Sequence, residues 1–450
     1  MKKIITILVF ILSYTQTNAQ CWSQIAAGEF HTLAIKIDGT LWSWGRNDFG
    51  QLGHGNVTNQ NTPTQVGTDT NWSSVASGFY HSLALKTNGT LWAWGYNDQG
   101  CLGDGTTVNK SSPVQIGTAT TWNDISVGSN FSLGKIGGSV FSWGNDDTGQ
   151  LGNGATGATF TPTLIGSGFQ FIAAGGSHCI ATKNNGTLWS WGAGSSGQLG
   201  NSSNINVTVP TQVGTGITWQ GVAAGFNFSG ATKTNNTLWT AGNNVDGVLG
   251  IGNNTSVNTF TQVGTSTDWL LISQGHNHTV AIKTNYTLWS WGSGASGQLG
   301  LNSSTSYNTP QQVGTDNIWQ KVEAGGDHTV TTKNGSTLWT FGRNLNGQLG
   351  NASNISRFIP TQITCPNLDI DTFNISSFST YPNPANDVLN IQNKDNLQID
   401  KVLVFDISGK KILEEAKNVD TINIQNLQSG LYFLQIESEG KTSQTKFIKQ

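Results

Sequence analysis

Between His81 and Gly95 the chain runs His-Ser-Leu-Ala-Leu-Lys, then Thr-Asn-Gly-Thr, then Leu-Trp-Ala-Trp-Gly. Two short apolar runs with interspersed small or polar positions flank an Asn-Gly pair, whose residues tolerate positive φ. The pattern predicts a β-hairpin. The same words return at residues 31–45, 178–192, 278–292 and 328–342, with degenerate copies at 131–144 and 228–242. Each hairpin is preceded by Trp-x-x-Val/Ile and followed, after a Gly-Gln-Leu-Gly word and a polar loop, by Pro-x-Gln-Val/Ile. Every unit therefore predicts four short strands. Aligned on their leading aromatic, the units begin at Trp22, Trp72, Trp122, Phe169, Trp219, Trp269 and Trp319, about 50 residues apart. Seven such units without a polar capping repeat predict a closed ring, an all-β seven-bladed β-propeller.

All 17 Trp fall at three positions of the unit: the leading residue and the two Trp of Leu-Trp-x-Trp-Gly. So regular a placement predicts core, as do the glycines of Gly-Gln-Leu-Gly, which suit turns and close backbone approach. No helix and no Lys-Ser/Thr follows them, so they are no phosphate cradle. The 57 Gly and a charged fraction of only 10% agree with an all-β chain, and the net charge of −3 offers no footprint for nucleic acid. Lys2 and Lys3 precede an apolar run at residues 4–12 with small residues before Gln20, which predicts a signal peptide over residues 1–19. The run is too short to span a membrane, and no later segment is apolar enough.

The three recurring words, Gly-x-x-His-Ser/Thr-x-Ala, Gly-Thr-Leu-Trp-x-Trp-Gly and Gly-Gln-Leu-Gly, resemble the repeat of the regulator of chromosome condensation (RCC1) family over residues 22–363. The resemblance implies a seven-bladed propeller over residues 20–365. It implies no single activity, since the family includes exchange factors, ubiquitin-ligase modules and a secreted enzyme inhibitor. After Cys365 the Trp residues stop, and residues 366–380 form a polar linker. Tyr381-Pro-Asn-Pro-Ala385, Asp406-Ile-Ser-Gly-Lys410 and Lys446-Phe-Ile-Lys449 resemble the type A sorting domain of the type IX secretion system, which implies a small β-sandwich over residues 381–450. That resemblance implies export across the outer membrane, removal of the tail, and release or anchoring on surface lipopolysaccharide.

Candidate chemistry is sparse. Histidine fills one position in five units (His31, His81, His178, His278, His328), with Phe131 and Phe228 in the others. Seven-fold spacing keeps these rings too far apart for one metal, so each is expected to hydrogen-bond backbone within its own blade. Lys36, Lys86, Lys135, Lys183, Lys233, Lys283 and Lys333 occupy one position before each hairpin turn. They are expected to be solvated strand ends, the rival reading being a ring for an anionic polymer. Cys101 and Cys179 are expected to be buried apolar residues. Neither a Gly-x-Ser-x-Gly elbow nor a His-Glu-x-x-His motif is present, and no metal or cofactor is expected. Glu29, Asp327 and His276 become neighbours if the ring closes, the one corner suited to acid–base chemistry or a cation.

Two further expectations follow from the register. Cys365 and Cys21 correspond to Thr68 and Asn71 in the turn that joins one unit to the next, so a Cys21–Cys365 disulfide is expected where the chain is interrupted. Alternating strands also place the pair between Gly and His, together with the loops after Trp-Gly, on one face. That pair varies: Glu29-Phe30, Phe79-Tyr80, Ser129-Asn130, Gly176-Ser177, Phe226-Asn227, His276-Asn277 and Gly326-Asp327. Phe30, Phe79, Tyr80, Phe226, His276 and Asp327, with Arg46, Tyr96 and Arg343, are therefore expected to line a shallow concave site at the channel mouth. The chain is expected to be a non-enzymatic, monomeric, secreted or surface-displayed module that binds a protein or glycan. The alternatives are a polysaccharide-acting enzyme and a protein inhibitor of an enzyme.

Overall fold

The computed structural model describes residues 21–334, 337–365, 378–394, 396–406, 410–416, 419–438 and 441–450. The expected signal peptide and most of the expected linker lie outside them. The described residues separate into two units, 21–365 and 378–450.

The first unit consists of seven four-stranded antiparallel sheets. In blade 1 the strands are β1 (Trp22–Ala27), β2 (His31–Lys36), β3 (Leu41–Gly45) and β4 (Gln60–Gln65), hydrogen-bonded in that order. Blades 2 to 7 repeat the plan from Trp72, Trp122, Phe169, Trp219, Trp269 and Trp319. The first strand of each blade packs on the first strand of the next and lines the central channel, and blade 7 meets blade 1. Each blade takes its four strands from one consecutive stretch, so no strand is exchanged to lock the ring.

The apolar words become the core because alternate residues of each strand face the neighbouring blade. In blade 1 the leading Trp22 meets Trp42 edge-on at 6.3 Å and Trp44 at 5.9 Å, and Trp72 repeats this with Trp92 and Trp94. The blades approach so closely at the channel that a Cβ on Gly28 would lie 2.6 Å from both Gly78 O and His31 Cε1. Gly45, at φ 109° where Leu-Trp-x-Trp ends, turns the chain out of the strand in a conformation other residues resist.

Cys21 and Cys365 are disulfide-bonded, with Cα atoms 6.1 Å apart. Cys21 O accepts from Ile37 N at 2.9 Å, as Asn71 O accepts from Thr87 N at 2.8 Å, so Cys21 stands in the place of a turn residue. Cys101 and Cys179 are buried thiols without a disulfide, and burial pushes both pKa values up.

The second unit packs a three-stranded sheet (Phe378–Tyr381, Val388–Asn393, Thr421–Asn423) against a four-stranded one (Lys411–Ala416, Ile399–Phe405, Gly430–Ser438, Lys441–Lys449). Leu389, Ile391, Val402, Val404, Ile422, Leu434, Ile436 and Phe447 form their shared core. This is a small β-sandwich. No helix among the described residues is long and apolar enough to cross a membrane.

Candidate functional site at the channel mouth

The repeated polar residues are engaged inside the ring, which isolates the variable ones. Each of the five histidines is fully buried and bonds across a blade junction, not to backbone of its own blade as the sequence suggested. Nε2–H of His31 donates to Ser82 Oγ at 2.9 Å, His81 to Ser132 at 2.9 Å, His178 to Ser229 at 2.8 Å, His278 to Thr329 at 3.0 Å and His328 to Thr32 at 3.0 Å. The hydroxyl in turn donates to a main-chain carbonyl of the Gly-Gln-Leu-Gly turn, as Ser82 does to Gln51 O at 2.8 Å. Trp94 Nε1–H donates to the same oxygen at 2.8 Å. Because each hydroxyl proton is committed to a carbonyl, the imidazole must donate from Nε2, and its Nδ1, buried without a partner, has no acceptor for a second proton, which keeps the ring neutral. Desolvation agrees, lowering all five imidazoles to about 3. Where Phe131 replaces the histidine, the facing residue is Cys179, in the same buried cluster. There the imidazole–hydroxyl bond gives way to a phenyl ring facing a thiol, which keeps the donation to the turn carbonyl, Gln150 O at 3.4 Å.

The seven lysines are not solvated strand ends either. Six lie over tryptophan rings, with Nζ of Lys36, Lys86, Lys183 and Lys333 each 3.9 Å from the centroid of Trp42, Trp92, Trp189 and Trp339. Lys233 sits 3.8 Å from Trp239 and Lys283 4.6 Å from Trp289. Lys135 instead pairs with Asp124 at 3.0 Å. The apolar stems and the ring faces bury one another, and the ammonium is held by the ring quadrupole. A ring of projecting cations for an anionic polymer does not form.

The variable pairs gather where the channel opens. Phe79 of blade 2 reaches across the mouth and stacks on Phe226 of blade 5, with centroids 5.5 Å apart and planes 15° from parallel. His276 touches both, at 6.1 Å and 4.1 Å. Phe79 continues to Tyr80, which stacks on Phe30 at 5.9 Å. Phe49 bridges Tyr80 and Tyr96 at 5.2 Å from each. Arg46 lies 5.3 Å from the Phe30 centroid and Arg343 5.9 Å from it. Both guanidiniums are tied to carboxylates, Arg46 to Asp48 at 2.6 Å and Arg343 to Asp327 at 3.3 Å.

The nine expected residues thus meet in one aromatic and guanidinium patch. Its shape differs from the expectation. The side chains fill the mouth against one another, leaving a hollow of about 70 Å³ bordered by Phe79, Phe226, His276 and Glu29. The acidic corner also divides: Glu29 takes His276 Nδ1 at 3.1 Å, while Asp327 is held by Arg343. The Glu29 hydrogen bond raises the His276 pKa against the desolvation of its partial burial. Among the described residues no group of three or more His, Cys, Asp or Glu is placed to hold a metal. Phe49 was missed because the sequence comparison covered only the pair before histidine. Its signal lay in Asp48-Phe49-Gly50, where the other units place a polar residue before that glycine.

Residues 125–380 match the model of the RCC1-like domain, residues 38–85 and 88–134 the RCC1 repeat, and residues 379–450 the secretion system C-terminal sorting domain. Human WBSCR16 superposes with a TM-score of 0.64 at 23% identity, over 70% of this chain and 87% of that one. Prp20p from Saccharomyces cerevisiae gives 0.61 at 26%, over 68% and 81%. Among curated relatives, the RCC2 homolog of Xenopus laevis is 53% identical over 36 residues, 8% of this chain and 7% of that protein. Ulvan lyase NLR42 of Nonlabens ulvanivorans is 34% identical over 85 residues, 18% and 16%. The matched stretches thus span less than a fifth of either relative. The sorting domain makes the protein a secreted or outer-surface-attached one, handled by the type IX secretion system. With seven four-stranded blades and more than half of its length matched to that model, the chain belongs to the RCC1-like domain family.

Proposed function

We propose that the protein is an exported, monomeric binding module that captures a protein partner on the channel-mouth face and has no chemistry of its own. One observation carries this reading: the variable positions of an otherwise uniform repeat converge in a continuous patch of Phe30, Phe49, Phe79, Tyr80, Tyr96 and Phe226 edged by Arg46 and Arg343. Ring packing uses the recurring Trp, His and Ser/Thr positions and has no need of this patch. Aromatic and Arg side chains are the usual anchors of protein interfaces.

The test is capture from culture medium and cell-surface extract on the immobilised protein, with bound proteins identified by mass spectrometry. Phe79→Ala with Tyr80→Ala is expected to weaken capture of the main partner at least tenfold, since truncated anchors typically cost ~2 kcal/mol or more each. The melting temperature should change little, because both side chains are half-buried and outside the blade cores. Undiminished capture by this variant would refute the reading. The enzymatic alternative rests on the Glu29–His276 pair. Glycan cleavage that disappears in Glu29→Gln would establish it instead. A separate expectation concerns the tail: the mature surface protein should lack the sorting domain, and an intact mass that includes Gln450 would contradict this.

A further inference from the structure

Two clefts on the rim of the propeller, each between neighbouring blades, repeat one set of side chains. The first, about 470 Å³, lies between blades 1 and 2 and is lined by Gln65, Asp69, Trp72, Trp92 and Pro113. The second, about 420 Å³, lies between blades 6 and 7 and is lined by Gln312, Asp316, Trp319, Trp339 and Pro360, with Lys333. These are the same positions of the repeat. Both clefts fall in the size range of small-ligand sites.

Each cleft holds a donor in want of an acceptor. Trp72 and Trp319 are 4% and 1% exposed, and their Nε1–H groups have no hydrogen-bond partner. Buried polar hydrogens are seldom left so. Other leading Trp share this orphan group, but these two clefts add a carboxylate. The word Gly-Thr-Asp-x-x-Trp occurs only at 67–72 and 314–319, while Ala119, Gly216 and Ser266 stand at the aspartate position elsewhere. That position borders the indole: a Cβ at Gly216 would lie 3.2 Å from Trp219 Nε1.

The charge balance narrows the ligand. Asp69 Oδ2 pairs with Lys86 Nζ at 2.8 Å and Asp316 Oδ2 with Lys333 Nζ at 2.5 Å, so each cleft is close to neutral. An anion finds the cleft lysine already neutralised, with His54 of the first cleft kept from protonation by burial, and a cation meets a carboxylate already paired. The aspartate side chains nonetheless remain 57% and 49% exposed, able to accept from hydroxyls. Half-buried Trp92 or Trp339 and a proline supply apolar walls. Indole donor, carboxylate acceptor and flat apolar walls match a hydroxylated ring with one C–H face. We infer that the two clefts are paired sites for neutral glycans, each taking a pyranose unit of a surface or environmental polysaccharide. Its hydroxyls accept from the indole N–H and donate to the aspartate. Two sites on one rigid ring let a single polymer or two neighbouring chains be held with avidity.

This inference does not rest on the channel-mouth reading. The probes are hexasaccharides of β-glucan, mannan, xylan and galactan, and the corresponding polymers, titrated calorimetrically against the full-length protein. At least one neutral series should bind with two sites per chain. Asp69→Asn with Asp316→Asn should weaken it at least tenfold, the loss expected for a hydrogen bond to a charged group. Phe79→Ala with Tyr80→Ala should leave it unchanged. The Asn pair should fold normally, since exposed ion pairs contribute little. If it does not, Gln65→Ala with Gln312→Ala, at half-exposed and exposed positions, is read in its place and should weaken binding. No neutral series binding at millimolar concentration would overturn the inference. So would a preference for sulfated or uronic chains, or binding that survives both cleft variants.

Discussion

Replacing Cys21 and Cys365 together by Ser is expected to lower the melting temperature of the propeller by about 8 °C, with the same shift on reduction of the parent. The bond closes a loop 344 residues apart in sequence. For so long a loop, chain-entropy reasoning gives about 5–6 kcal/mol at 25 °C, near the top of what disulfides provide. Spread over the unfolding entropy of roughly 350 residues, that free energy corresponds to about 8 °C. The propeller depends on the bond because of its topology. At the other six junctions the chain itself runs from one blade to the next, whereas blades 7 and 1 share neither a turn nor a strand. What else holds that junction is contact between the two blades: Gly326 N to Gly28 O at 3.2 Å and Ala352 N to Asn61 O at 2.9 Å along the main chain, and through side chains His328 to Thr32 at 3.0 Å, Thr32 and Trp44 to Gln348 O at 2.9 and 3.0 Å, and Lys321 to Ser23 O. All of these except the Lys321 contact recur at junctions that also have chain continuity. Differential scanning fluorimetry of parent, reduced parent and the Ser pair decides the matter. A shift of less than 2 °C would show that packing alone closes the ring.

The repeat period made the blades legible in the sequence, because strand alternation and Asn-Gly turns are local signals that a 50-residue unit displays seven times. Positions facing across a blade junction were harder to read. His278 and Thr329 are 51 residues apart, and nothing near either residue announces the other. A clue existed in Phe131 and Cys179, where both partners change character together, but it is meaningful only once the ring is known. Lysine misled for a related reason. A charged residue before a turn suggests solvent, and only the fold shows that the following strand brings a Trp face beneath its Nζ. At the mouth, side-chain variety pointed to the right residues, while Phe79 and Phe226 meeting across the ring could not be read from a linear pattern.

Acid is expected to unfold the propeller well above the pH at which its histidines would protonate in place. The five relay imidazoles have folded pKa values of about 3, lowered chiefly by desolvation. In the unfolded chain each returns to about 6.5. Above pH 6.5 both states carry neutral imidazole and there is no penalty. As pH falls from 6.5 towards 3 the unfolded chain binds protons that the folded chain refuses, so stability declines through that window. One such group costs about 1.4 kcal/mol per pH unit there, and five acting together about 7. At pH 5 the accumulated loss is about 10 kcal/mol, the size of an ordinary domain's whole stability. Glu323 and Asp146, raised to about 7 and about 6 by desolvation, work in the opposite sense and offset part of it. The chemical reason for the refusal is the hydrogen-bond chain itself. Nε2–H is already donated to a hydroxyl, and a proton on Nδ1 would be buried without an acceptor among the described groups. Replacing His278 by Phe together with Thr329 by Cys copies the pair of Phe131 and Cys179 and removes one titrating group. Urea unfolding between pH 8 and pH 4.5 should give a steep fall in stability for the parent. The paired variant should show a slope shallower by about 1.4 kcal/mol per pH unit. A flat profile between pH 7 and pH 5 would mean that the imidazoles accept protons in the folded ring, and the neutral relay would then be wrong.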